Sequence, residues 1–232
     1  MKKPTLILLP ALMCDDNLFK DQTAKLSEFC NVVIPVLKDY NNIKDAADYV
    51  LSIAPREFFL AGISMGGYIA MEMVTIAASR IKKLCLMATK IEEDTEKQKA
   101  IRLAGIKQVE LSKEVTATKS YLATMLHNKK DDEALYETIQ NMNKNLGADS
   151  YINQQNIILS RKSLKGKLKH FLNQTLIIAG INDTVTPLSL LEDISKEIPN
   201  NTLVSLANCG HLIPLDQPEA TAALLEYFVK LK

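Results

Sequence analysis

The sequence predicts a three-layer α/β/α sandwich on a mostly parallel sheet of six strands, with a helical segment inserted after the fourth strand. Six short, nearly continuous apolar runs recur along the chain. Stretches with helical apolar spacing separate most of them, which reads as alternating strand and helix. The exception is a stretch of about eighty residues, from Ile91 to Leu172, that has helical patterning and no convincing strand.

The apolar runs are Thr5–Leu9, Val32–Leu37, Phe58–Ile63, Lys83–Met87, Thr175–Ala179 and Thr202–Leu206. A strand covered by helices on both faces must be apolar on both, so such runs fit a parallel sheet better than strict alternation would. Leu18, Thr23, Leu26 and Phe29 mark a first helix, Ala46, Val50 and Ile53 a second, and Ile69, Met73, Ile76 and Ala77 a third. Leu190, Ile194 and Ile198 mark another, and a last runs from Ala220 to about Val229, just after Pro218 and Glu219, where a helix start is favoured. In the strandless stretch, helical faces are expected from Ile101, Ile106, Val109 and Leu111, from Leu122, Met125 and Leu126, and from Leu135, Ile139, Met142 and Leu146. Residues 1–90 and 173–232 are thus assigned to one core and 91–172 to a helical cap within the same domain.

Composition narrows the function. With 28 Lys+Arg against 27 Asp+Glu in 232 residues, the net charge of +1 argues against a nucleic-acid or membrane-surface binder. Cys14, Cys30, Cys85 and Cys209 form no CxxC pair and lie at no zinc-binding spacing from a histidine, which suits a reducing cytoplasm. Lys2 and Lys3 before an apolar run ending at Cys14 superficially resemble an export signal. Pro10 interrupts that run and bulky Leu12 and Met13 stand where small residues are wanted, so a buried strand is expected instead. No stretch approaches the length of a membrane span. Neither HExxH nor a phosphate-binding loop is present, and no metal or cofactor is implied.

The chemistry concentrates at Gly62-Ile63-Ser64-Met65-Gly66, a Gly-x-Ser-x-Gly that ends a strand and opens a helix. Such a turn forces the serine toward a strained backbone, and Gly62 and Gly66 leave room for strand and helix to pass. A shuffled chain of this composition contains the pattern only about once in seventy, before the strand–helix context is required. Ser64 is therefore the candidate nucleophile.

A serine hydroxyl needs a general base, and the base an orienting acid. Of three histidines, His127 sits at an expected helix end before a polar run and His170 among lysines, both in solvated contexts. His211 follows Gly210 just beyond the last apolar run, at the sheet edge where Ser64 also lies and where open α/β sheets bind ligands. Asp183 leaves the fifth strand on the same edge, whereas Asp193 falls in mid-helix; Asp216 is placed to cap the last helix or to brace the histidine loop. An imidazole base predicts that activity falls on the acid side of neutrality.

The order Ser64, Asp183, His211, with Gly-x-x-Asp at 180–183 and Gly-His at 210–211, resembles the α/β-hydrolase fold family, in its esterase/lipase-like branch, over nearly the whole chain. The resemblance implies a spatial strand order of second, first, third, fourth, fifth, sixth, with the cap after the fourth. It also implies that the two antiparallel strands which usually open such a sheet are missing, since the chain starts at the strand ending in Leu9. Leu-Leu-Pro-Ala-Leu-Met occupies the place where relatives carry His-Gly and then an oxyanion residue. By that match the backbone N–H groups of Leu12 and Met65 form an oxyanion hole; Ala11 is the neighbouring alternative to Leu12, and Pro10 has no N–H to give.

A small-molecule acyl ester or thioester is the implied substrate, cleaved through an acyl-enzyme. Relatives that open epoxides or remove halide use an aspartate nucleophile, which Ser64 disfavours. The basic run Arg161–Lys169 leaves open an acyl carrier protein as partner and a carrier-bound methyl ester as substrate. An acyltransferase, C–C hydrolase or lyase on the same triad, and a non-catalytic binding protein of this fold, are further alternatives.

Overall fold

The computed structural model describes residues 3–231; Met1, Lys2, the first of the basic pair at the start of the chain, and Lys232 lie outside the described residues. Six strands form one sheet: β1 (Thr5–Leu9), β2 (Asn31–Val33), β3 (Phe58–Ile63), β4 (Ile81–Met87), β5 (Thr175–Gly180) and β6 (Asn201–Leu206). Their order is β2-β1-β3-β4-β5-β6 and every adjacent pair is parallel. This is the expected order.

Alternation along each strand splits the core in two. Ile7, Leu9, Leu60, Leu84 and Ile177 point to one face, where they pack with α2 (Ile43–Ile53), α3 (Met65–Ala77) and α7 (Leu188–Glu197). Leu6, Leu8, Ala61, Cys85 and Ile178 point to the other, against α1 (Lys20–Leu26) and α9 (Pro218–Lys230). The four inner strands, β1, β3, β4 and β5, therefore bury most of both faces, which is why their sequences are nearly continuously apolar, while the edge strands β2 and β6 are partly exposed.

The second strand is shorter than its apolar run. Pairing with β1 ends at Ile7↔Val33, and Ile34–Leu37 leaves the sheet. Pro35 lacks the N–H a continued ladder needs, and Val36 is exposed. At the other end of the chain, the last helix begins at Pro218 rather than Ala220, preceded by a four-residue helix, α8 (Ile213–Asp216).

Between β4 and β5 lie α4 (Glu96–Ser112), α5 (Lys119–Met125) and α6 (Glu133–Ser160), with no strand. Thr95 and Gln98 close a reciprocal capping box at the start of α4. Gly147, at φ 78°, breaks α6 into two helical halves, a conformation open to a residue without Cβ. The expected α4 face is corrected in part: Ile106 and Val109 are buried, but Ile101 and Leu111 are exposed. At about 100° per residue, Ile106 and Val109 lie roughly 60° apart, while Leu111 lies about 160° from Val109. The segment has no separate core. Leu122, Leu126, Ile139 and Met142 join one sheet-face cluster, and Ile157, Ile158, Leu164 and Leu168 the other.

The chain runs from β1 outward to the edge strand β2, then returns to β3 beside β1 and proceeds the other way. That reversal opens a crevice between the carboxyl ends of β1 and β3, the position where open α/β sheets take ligands. The loops leaving those two strands carry Leu12 and Ser64.

Candidate active site

Ser64 sits between β3 and α3 with φ 51° and ψ −114°, a left-handed conformation rare for a residue with a Cβ. It is held there from several sides. Its N–H donates to the Met87 carbonyl (3.0 Å), and its own carbonyl accepts from the Thr89 hydroxyl (3.0 Å) and the Tyr68 N–H (3.1 Å). The Leu9↔Gly62 register brings α3 so close to β1 that a Cβ on Gly66 would press into the Leu9 carbonyl, and one on Gly62 into the Gly66 carbonyl. Gly66→Ala must therefore displace backbone. We expect a cost of about 1–3 kcal/mol or more, visible as a lower Tm together with lost turnover; wild-type values of both would contradict this account of the turn.

His211 and Asp183 come to Ser64 from the ends of β6 and β5. His211 Nε2 lies 2.9 Å from Ser64 Oγ, and its Nδ1 lies 2.8 Å from Asp183 Oδ2. Asp183 is itself fixed. Its Oδ1 accepts from the N–H groups of Val185 (2.7 Å) and Thr186 (2.8 Å), and its Oδ2 accepts from the Thr186 hydroxyl at 2.5 Å. Burial raises the Asp183 carboxyl, but hydrogen bonding and charge from His211, with the bonds from Thr186, outweigh it and hold the group below the ordinary carboxylate range. Thr186 has only a weak signature in the sequence, the Asp-x-x-Thr straight after a strand that carries the turn placing it.

The other ionisable candidates lie elsewhere. His127 and His170 are exposed, and Asp193 pairs with Lys196 on the outside of α7. Asp216 is fully buried and braces the histidine loop. Its Oδ2 accepts from the N–H groups of Gly210 (2.6 Å) and His127 (2.9 Å), and its Oδ1 from that of Lys129 (2.8 Å). It does not cap α9, whose N-cap is Gln217. The Met125 carbonyl at the end of α5 accepts from both His211 N–H (2.8 Å) and Leu212 N–H (3.0 Å), so the helical insertion directly supports the histidine. Asp216→Ala leaves three amide donors without their acceptor; we expect a loss of about 3 kcal/mol, or roughly 6–12 °C in Tm. A Tm equal to wild type would contradict the bracing role.

Two backbone amides, in the loop leaving β1 and at the start of α3, have no hydrogen-bond partner among the described residues. Met65 opens α3, so its N–H has no intrahelical acceptor, and the Leu12 N–H makes no hydrogen bond to any described residue. The next amide, Met13, is committed to Gln154 Oε1 at 2.8 Å, with Met13 at φ 56° turning the loop. The α3 N-terminus adds partial positive charge at the same point.

Ser64 and His211 open into a cavity of about 530 Å³, within the range of small-molecule sites. Much of its wall is apolar, including Ala11, Leu12, Met125, Ile139 and Ile158. Cys14 also lines it, but burial, reinforced by Asp15, pushes its thiol up to about 12 and leaves it a poor rival nucleophile. Among the described residues no group of three or more His, Cys, Asp or Glu is placed to hold a metal ion. No helix among them is long and apolar enough to cross a membrane.

The family model for the alpha/beta hydrolase fold matches residues 35–218, a stretch that includes Ser64, Asp183 and His211. The chain is 27% identical over 193 residues to the monoacylglycerol lipase ABHD6 of Homo sapiens, covering 77% of this chain and 56% of that protein. It is 22% identical over 197 residues to a pimeloyl-[acyl-carrier protein] methyl ester esterase of Nitrosospira multiformis, covering 81% of this chain and 74% of that one. The fold is shared with a thermophilic esterase from Thermogutta terrifontis, solved with malate bound, at a TM-score of 0.86 and 19% identity over 99% of this chain and 90% of that one. With a parallel sheet in the expected order and a family match over most of its length, the chain belongs to the α/β-hydrolase fold family.

Proposed function

We propose that this protein is a serine hydrolase that cleaves a carboxylic ester or thioester through an acyl-enzyme. The observation that carries the proposal is the unbroken chain of hydrogen bonds from Ser64 Oγ through His211 to Asp183, opening on a mostly apolar cavity. His211 Nε2 takes the Ser64 proton as Oγ bonds to the acyl carbon, and Asp183 holds Nδ1–H and steadies the imidazolium. The negative charge that develops on the carbonyl oxygen is met by the Leu12 and Met65 N–H groups. His211 then returns the proton to the leaving alcohol or thiol; the same imidazole deprotonates a water that attacks the acyl carbon, and gives that proton to Ser64 Oγ as the C–Oγ bond breaks and the acid leaves. In this proposal Gly62 and Gly66 serve the turn, and residues 91–172 act as the cap that roofs the cavity. The four buried free thiols fit a cytoplasmic setting.

The test is hydrolysis of p-nitrophenyl acyl esters of graded chain length. We expect saturable turnover that falls to background in the Ser64→Ala variant. No turnover of any of these esters by the folded wild-type protein would contradict the reading.

A second reading, a carrier-bound methyl ester, draws on the similarity to the Nitrosospira esterase. The basic run that motivated it is weaker than its sequence suggests. Arg161 is buried, and Lys162, Lys165, Lys167 and Lys169 are exposed but none lines the cavity. High salt separates the two readings, since a carrier-dependent reaction weakens sharply and a small-ester reaction hardly changes.

A further inference from the structure

One part of the cavity wall is neither apolar nor used by the proposed triad. Tyr68, Gln98, Arg102 and Gln155 line it. Behind them Lys90, Arg102 and Arg161 converge on a single carboxylate, Asp94, with N–O distances of 3.2, 2.6 and 2.7 Å. Lys90, Asp94 and Arg161 are all buried, and the nearby Glu92 and Glu93 side chains are exposed to water. Three cations around one carboxylate leave an excess of two positive charges in a poorly solvated place. The Arg161 guanidinium lies 3.9 Å from the centre of the Tyr68 ring, and its Nη1 is buried with no hydrogen-bond partner. Such an excess is costly unless an anion completes it.

Arg102 is the member of the cluster that reaches the cavity. Its Nε is fixed on Asp94 and its Nη1 on Gln155 Oε1 (2.9 Å), while Nη2 makes no hydrogen bond to any described residue. Tyr68 also lines the cavity, and its hydroxyl makes no hydrogen bond to any described residue. A guanidinium fixed at Nε and Nη1 holds its free Nη2 in a set position, ready to donate a charge-assisted hydrogen bond to a carboxylate.

We propose that this wall is a carboxylate-binding subsite, so that the preferred substrate carries an ionised carboxylate in addition to its scissile ester, held by the free Nη2 of Arg102. The substrate class rests on the serine-hydrolase reading; the subsite is tested without turnover. In the Ser64→Ala protein, calorimetry would compare two families of probe, each acid paired with its neutral primary amide. One family is the monomethyl esters of succinate through suberate, which place the carboxylate on the acyl side. The other is the acetyl esters of ω-hydroxy acids of two to six carbons, which place it on the alcohol side. We expect at least one acid to bind roughly tenfold or more tightly than its amide, and the better family to identify the side. Arg102→Met, or Arg102→Gln if the first fails to unfold cooperatively, should abolish that gap. Acids that bind no better than their amides in both families, or a gap that survives loss of the guanidinium, would overturn the subsite. Failure of the hydrolase reading looks different: tight binding of the acids with no turnover of any ester by the wild-type protein.

Discussion

Ser64→Ala and His211→Ala should each lower kcat for an activated ester by about 10⁵- to 10⁶-fold, with KM little changed and the fold intact. The reason is geometric. Ser64 Oγ and His211 Nε2 are 2.9 Å apart, so the nucleophile and its base act as one unit, and removing either stops acyl-enzyme formation. Ser64 is half-buried at a turn where, among the described residues, its side chain carries no hydrogen bond but the one to His211, so alanine removes little packing. The double variant should be no slower than the slower single one, because the losses are not additive for groups that act together. Variants that kept more than about one hundredth of wild-type turnover would show that another group is the nucleophile or base.

Asp183→Asn is the second large effect. An amide keeps the shape but presents N–H or carbonyl oxygen where a carboxylate accepted four hydrogen bonds, from Val185, from Thr186 twice and from His211. The imidazole then takes the wrong tautomer, and turnover should fall roughly 10⁴-fold, as for the corresponding change in serine proteases. Near-normal turnover would remove Asp183 from the site. The same substitution has a signature in stability. Because the folded protein holds the Asp183 carboxyl below its ordinary value, the charged form stabilises the fold above the unfolded value, near pH 4, and that contribution is lost as the pH falls through the lower folded value. Asp183→Asn should therefore flatten the acid limb of Tm against pH below about pH 4 while leaving the neutral limb parallel to wild type.

What could be read from the residues was whatever local chemistry encodes. Gly62, Ser64 and Gly66 announce a strained strand-to-helix turn because only glycine fits beside the Leu9 and Gly66 carbonyls. His211 and Asp183 were placed by following each apolar run to its carboxyl end. Pro35 marks the end of β2 in the sequence itself, yet the apolar run through Leu37 masked it, since burial and strand pairing are separate demands on a residue. The supports of the site were far less visible. Gln154 meets Met13 across 141 positions, and Asp94 gathers Lys90, Arg102 and Arg161 from the β4–α4 loop, α4 and the end of α6. No periodicity records such contacts. Arg161 even reads as one of a run of surface lysines, although it is the most deeply buried charge of that run.

Activation of Ser64 by His211 can be tested without knowledge of the natural substrate. A fluorescent fluorophosphonate, which reacts with an activated serine, would be incubated with the wild-type protein and with folded Ser64→Ala and His211→Ala variants. One covalent label is expected on the wild type, located to the peptide containing Ser64, and none on either variant. An unlabelled, folded wild-type protein, or labelling that persists without Ser64, would contradict it.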